Sequence, residues 1–79
     1  MRGRVLVTLR EGVLDPAGQA VQGGLRQLGF EEVQSVRIGK VIEFELEAMP
    51  PEQARARLED MGRKLLANTV IETFEVELD

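Results

Sequence analysis

Twice in these 79 residues a strand-like run leads into a helix opened by proline, and that repetition constrains the fold more than any other feature. Val5 to Leu9 is β-branched and aliphatic and ends at Glu11-Gly12, the pattern of a strand. Asp15-Pro16 follows. Aspartate caps free backbone N–H groups, and proline presets φ at the first helical position, where no N–H partner is needed. Ala17, Ala20, Val21, Gly24, Leu25 and Leu28 then share one helical face, with Gly29 as a left-handed cap and Phe30 folding back. In the second half, Ile42, Phe44 and Leu46 alternate against Glu43, Glu45 and Glu47. Met49-Pro50-Pro51 forces an extended entry and opens a second helix, with Ala54, Leu58, Met61 and Leu65 as its buried stripe. Val33 to Ile38 reads as a further strand, turned at Gly39-Lys40 into the run from Val41. Asn68 is the expected cap of the second helix, and Val70 to Leu78 is the last strand.

The order is β-α-β-β-α-β in one domain over residues 1–79. The expected class is α+β: a ferredoxin-like sandwich, an antiparallel sheet with two helices on one face. A sheet opened, or shared with a second subunit, satisfies the same pattern. In the usual strand order the first strand lies between the third and the last. If Val5, Val7 and Leu9 face the helices, Arg4, Leu6, Thr8 and Arg10 face away, between Glu43, Glu45 and Glu47 on one side and Glu75 and Glu77 on the other. Opposite charges across strands fix register. The first reading of this face is a solvated one; the alternative is that, with Leu6 and Ile71 exposed on it, it stacks on another subunit's sheet, so that the fold assembles through the sheet. On the second helix, Arg55 with Glu59, Glu59 with Arg63, and Asp60 with Lys64 stand four residues apart on the wet side.

A chain this short buries roughly 60% of its unfolded surface, and its core supplies about 3–5 kcal/mol. No cysteine is present to staple it. Partner subunits are the remaining source of stability, so the composition favours a domain that assembles. The net charge of −4 argues against nucleic acid, which needs a basic footprint. The apolar run after Met1-Arg2-Gly3-Arg4 is too short for a signal or a span. The expected setting is soluble and cytoplasmic, with no membrane partner.

Chemistry is scarce. Without histidine or cysteine the chain lacks the usual general base, the thiol nucleophile and the common metal ligands. Its carboxylates lie on regular strand and helix faces, and its glycines form no nucleotide fingerprint or P-loop. The aromatic and basic interleaving of an RNA-binding sheet is missing, as is a phosphate-cradling arginine loop after the first strand. No catalytic residue and no metal site is expected. Gly23-Gly24 inside a helix costs about 1 kcal/mol per glycine, which close approach of the sheet, another helix or a partner would offset.

Three segments carry a resemblance: Gly12-Val13-Leu14-Asp15-Pro16-Ala17-Gly18-Gln19-Ala20-Val21; Leu28-Gly29-Phe30 with Val36-Arg37-Ile38-Gly39-Lys40; and Leu65-Leu66-Ala67-Asn68-Thr69-Val70-Ile71-Glu72. Together they resemble PurS, the small-subunit family of phosphoribosylformylglycinamidine (FGAM) synthase; Thr69 stands where that family often has proline. The resemblance implies a non-catalytic subunit of a ligase complex in purine biosynthesis. Such a subunit forms dimers or tetramers, bridges the glutaminase PurQ and the synthase PurL, and helps ammonia pass between them. It binds no cofactor; ATP and Mg belong to the complex. The motif positions then divide. Asp15, Pro16, Gly18, Gly29 and Asn68 have structural readings, whereas Arg37, Lys40 and Glu72 are the expected partner contacts. The alternative from another class is an ACT-like domain that senses small molecules between paired sheets.

Overall fold

The computed structural model describes residues 1–79. At its centre is strand β1 (Arg2–Leu9), in which Gly3, Val5 and Val7 are buried while Arg2 and Thr8 are exposed. β2 (Lys40–Glu45) and β3 (Glu72–Leu78) flank it, both antiparallel, in the order β2-β1-β3. Helix α1 (Pro16–Gln27) follows β1, and α2 (Pro51–Met61) follows β2 and runs on into a π-helical turn, Gly62–Leu66. α2 lies across β1 and β3, over Val5, Val7 and the half-buried Ile42, Phe44, Phe74 and Val76. α1 begins at the end of the sheet, where Ala17 lines one hollow together with Val7 and Leu9. No helix is long and apolar enough to cross a membrane.

The outward face carries the charge pattern expected of it. Arg4 stands opposite Glu43 on β2 and Glu77 on β3, and Arg2 opposite Glu45. Arg2 Nε lies 3.1 Å from Glu45, and Arg4 Nε 3.6 Å from Glu77. Arg4 also pairs with Asp79, so its guanidinium leans toward β3. Thr8 and Thr73 share a hydroxyl contact at 3.3 Å further along. A slip by one residue would send each of these charges into the core, so the ladder and the apolar face set one register together.

Residues 33–38 do not form the expected second strand, and Gly39-Lys40 does not turn. A two-residue hairpin loop needs positive φ; only Gly12 and Gly29 have it, at 88° and 101°. Gly39 instead packs flat against the carbonyl of Val7 and the methyl of Thr8, and Arg37 reaches the carbonyl of Arg10. The chain therefore enters β2 from straight ahead. Residues 33–38 lie beside α1, where Gln22 and Arg26 donate to the carbonyls of Gln34 and Val33. The sheet has three strands, and α1 with residues 33–38 forms an arm that gives the molecule its 48 Å length against a 14 Å thickness.

The core is small. Val5, Val7 and Leu58 are its fully buried large side chains, with Ala67 beside them. Leu65, expected in the stripe of α2, is 83% exposed. The π-helical turn is the reason: Ala67 N–H bonds back to Gly62, one residue further than in an α-helix, and the added residue rotates Leu66 onto the core in place of Leu65. Gly62 sits under the ring of Phe74, where a Cβ would approach Phe74 to 2.6 Å. Of the expected ion pairs on α2, Asp60–Lys64 forms at 3.8 Å. Glu59 makes none: Arg63 turns to Asp60 at 2.8 Å, and Arg55 donates to the carbonyl of Val76.

Because one leucine closes the centre of this core, Leu58→Ala should cost about 2–5 kcal/mol in chemical unfolding. Gln53→Ala, on the exposed side of the same helix, should change stability by less than about 0.5 kcal/mol.

Candidate partner-binding site

Asp15 builds the joint on which the site rests. Its Oδ1 accepts the Gly18 N–H at 2.8 Å, the expected helix cap, and its Oδ2 accepts the Ile38 N–H, also at 2.8 Å. One carboxylate thus ties the start of α1 to the strand entry, and it is only 5% exposed. The Ile38 amide first and the Gly18 amide second hold its pKa below the usual carboxylate range; burial opposes this, and nearby Arg37 adds to it. Pro16 occupies the first helical turn. Gly18 is glycine because the Val36 carbonyl approaches so closely that a side chain would overlap it. At the far end, Gly29 at φ 101° completes a Schellman cap: its N–H bonds to Arg26, and Phe30 N–H to Leu25.

The three expected contact residues fall on two surfaces. Lys40 and Glu72 rim a hollow of about 310 Å³ at the end of the sheet, floored by Val7, Leu9, Ala17 and Ile38. Arg37 is on the opposite face, beside Thr8, Glu11 and Ser35 along a second hollow of about 460 Å³. Glu72 also has a local task that its sequence position did not reveal: its Oε1 accepts the Asn68 N–H at 2.7 Å. Asn68 does not cap α2. Its Oδ1 accepts the Val70 N–H at 3.1 Å and its carbonyl accepts those of Ile71 and Glu72, so it makes the turn into β3. The helix has already ended, with Ala67 extended.

Arg10 is the residue that sequence reasoning misplaced. Rather than belonging only to the outward charge row, its Nε and Nη2 donate to the Thr69 carbonyl at 3.2 and 2.8 Å, while its own carbonyl accepts from Arg37. Thr69 lies in the turn made by Asn68, so Arg37, Arg10 and that turn link three segments at one end of the sheet. The signal was an arginine just past the last residue of a central strand, where neighbouring turns offer unpaired carbonyls. No three acidic side chains converge on a position for a metal ion. What the arrangement supplies is recognition: a cation and an anion beside an apolar floor, and a guanidinium on the reverse face.

Fold and site together define a small α+β domain of the ferredoxin-like class. The sequence profile of PurS, phosphoribosylformylglycinamidine (FGAM) synthase, matches residues 2–79. The chain is 56% identical over 75 residues to the phosphoribosylformylglycinamidine synthase subunit PurS of Synechocystis sp., covering 95% of this chain and 75% of that protein. PurS of Methanocaldococcus jannaschii, one of the subunits of formylglycinamide ribonucleotide amidotransferase in the purine biosynthetic pathway, superposes with a TM-score of 0.90 at 36% identity, covering 99% and 94% of the two chains. A chain of PurLQS from Thermotoga maritima does so with a TM-score of 0.87 at 33% identity, covering 96% and 93%. The protein belongs to the PurS family, a subunit of FGAM synthase in purine biosynthesis.

The depressed native pKa of Asp15 gives a pH dependence of definite sign. Its contribution is fully present above the unfolded carboxylate value near 4 and is lost as pH falls through the lower native value. Asp15→Asn should lower Tm by about 5 °C at neutral pH, since an amide nitrogen then faces one of the two N–H donors. It should also flatten the loss of stability as pH falls below about 4, followed by thermal unfolding across the acid range.

Proposed function

We propose that this chain is the non-catalytic accessory subunit of an FGAM synthase complex, joining the glutaminase PurQ to the ATP-dependent synthase PurL and helping ammonia pass between them. The observation that carries this reading is its likeness, over nearly the whole of both chains, to a chain of PurLQS. The residues agree with it: a chain without histidine or cysteine has no thiol or imidazole with which to hydrolyse glutamine, so that step falls to a partner. ATP and Mg act on the synthase, and this subunit binds no cofactor. Ammonia released into bulk water protonates and ceases to be a nucleophile, so a subunit that keeps two active sites in register raises the yield of transfer without performing chemistry. The chain works as a dimer or tetramer, its small core completed by association.

Of the three proposed contacts, Lys40 is the most informative, since its side chain makes neither a hydrogen bond nor an ion pair within 4.0 Å and no local rule demands it. In an enzyme reconstituted from the three subunits, Lys40→Ala should lower glutamine-dependent FGAM formation about tenfold and leave ammonia-dependent formation near the wild-type level. Equal loss with both nitrogen donors would contradict the proposed role.

A further inference from the structure

We propose that Arg10 is a positioning residue, holding Glu72 ready for a cationic side chain of a partner subunit. The inference rests on the partner contacts just proposed; it says how one of them is set and what chemistry it takes. Arg10 bonds in three directions from the end of β1. Its N–H donates to the Ile71 carbonyl at 2.8 Å, its guanidinium donates to the Thr69 carbonyl at 3.2 and 2.8 Å, and its own carbonyl accepts from Arg37 at 3.1 Å. The turn that presents Glu72 needs such a hold from outside. Asn68 to Ile71 are exposed, Val70 to 81%, so no apolar burial fixes them. Within the turn, Asn68 Oδ1 accepts from Val70 N–H and Glu72 Oε1 accepts from Asn68 N–H. Exposed bonds of this kind contribute little singly. A planar guanidinium edge that places two N–H donors on one carbonyl orients the peptide as well as attracting it, whereas an ammonium acts as a point charge.

Held this way, Glu72 keeps its charge. Its bond to Asn68 uses only Oε1, and it forms no ion pair within 4.0 Å. Three acids of the sheet's outward face differ, since Glu45, Glu77 and Asp79 are paired with Arg2 or Arg4. A carboxylate tied to a neutral N–H is ordered before any partner arrives and yet is not neutralised, which lowers the ordering cost of association. Glu72 is also half-buried, at the rim of the hollow floored by Val7, Leu9, Ala17 and Ile38. Partial removal from water strengthens a charge pair there relative to open solvent. The group that fits is a lysine ammonium or an arginine guanidinium, its carbon stem lying along the apolar floor. Arg37, bonded to the Arg10 carbonyl from the reverse face, steadies the residue on which this arrangement depends.

Arg10→Met removes the guanidinium and keeps an apolar stem. In the full chain alone, hydrogen exchange at the Asn68 and Val70 amides should quicken about tenfold in Arg10→Met and recover part of the way in Arg10→Lys. Unchanged exchange in Arg10→Met overturns the proposal, whatever the subunit binds. Glu72→Gln keeps an oxygen for the Asn68 N–H and removes only the charge. In the enzyme reconstituted from three subunits with glutamine as nitrogen donor, Arg10→Met and Glu72→Gln should each lower the rate about tenfold. Because Arg10 acts through Glu72, the double variant should lose little more than either single one. Losses that multiply to about a hundredfold overturn the positioning role. Equal losses with ammonia as donor contradict instead the joining function on which it rests, so the two failures are told apart.

Discussion

One carboxylate holds the two parts of this molecule in their relation. Asp15 accepts a hydrogen bond from the first turn of α1 and another from the residue that leads into β2. A buried carboxylate is tolerated only when its oxygens are satisfied, and here the second donor, Ile38, lies 23 residues further along the chain. Gly18 follows from it, because α1 can reach that position only if the Val36 carbonyl has room. The straight path at Gly39 follows too, since a strand clamped at Ile38 and again at Arg37 cannot fold back. The Asp-Pro-x-Gly motif is therefore a joint between helix and strand as much as a helix start.

From that joint comes the incomplete sandwich. Three strands and one helix make a core of a few side chains, and α1 with residues 33–38 reaches past it. A subunit of this kind leaves apolar groups at several sites, among them Leu28, Leu65 and Val41. An acidic net charge keeps such a chain soluble while the apolar surface waits for a partner. The function proposed for it asks for surfaces rather than a pocket. Lys40 and Glu72 on one face and Arg37 on the other offer two directions of contact from one small domain.

Much of this was legible in the sequence. The proline-opened helices and the caps at Asp15 and Gly29 follow from local rules, and the acidic–basic–acidic order of the strands follows from the expected topology. The path at Gly39 did not read correctly, although its signal was there. Val36, Ile38, Ile42 and Phe44 are all even-numbered. A two-residue hairpin through Gly39-Lys40 would place Val36 beside Glu43, on the wrong face, whereas a continuous strand keeps the apolar side in phase. The exchange of Leu65 for Leu66 was not legible, because adjacent leucines give no cue to which one an extra residue in the helix turns inward. The second bond of Asp15 and the link from Arg10 to Thr69 join distant segments, and no spacing within one segment encodes them. Of the contact residues, Glu72 shows the limit most clearly. It had no local reason in the sequence and has one in the turn that begins at Asn68.

The self-association proposed for this chain would finish its small core. Thermal unfolding of the wild-type chain alone, followed over a hundred-fold range of concentration, tests it most directly. If association completes the core, Tm rises steadily with concentration, because association and folding are then linked. A Tm that stays constant over the whole range would contradict the account and would mean that three strands and α2 suffice.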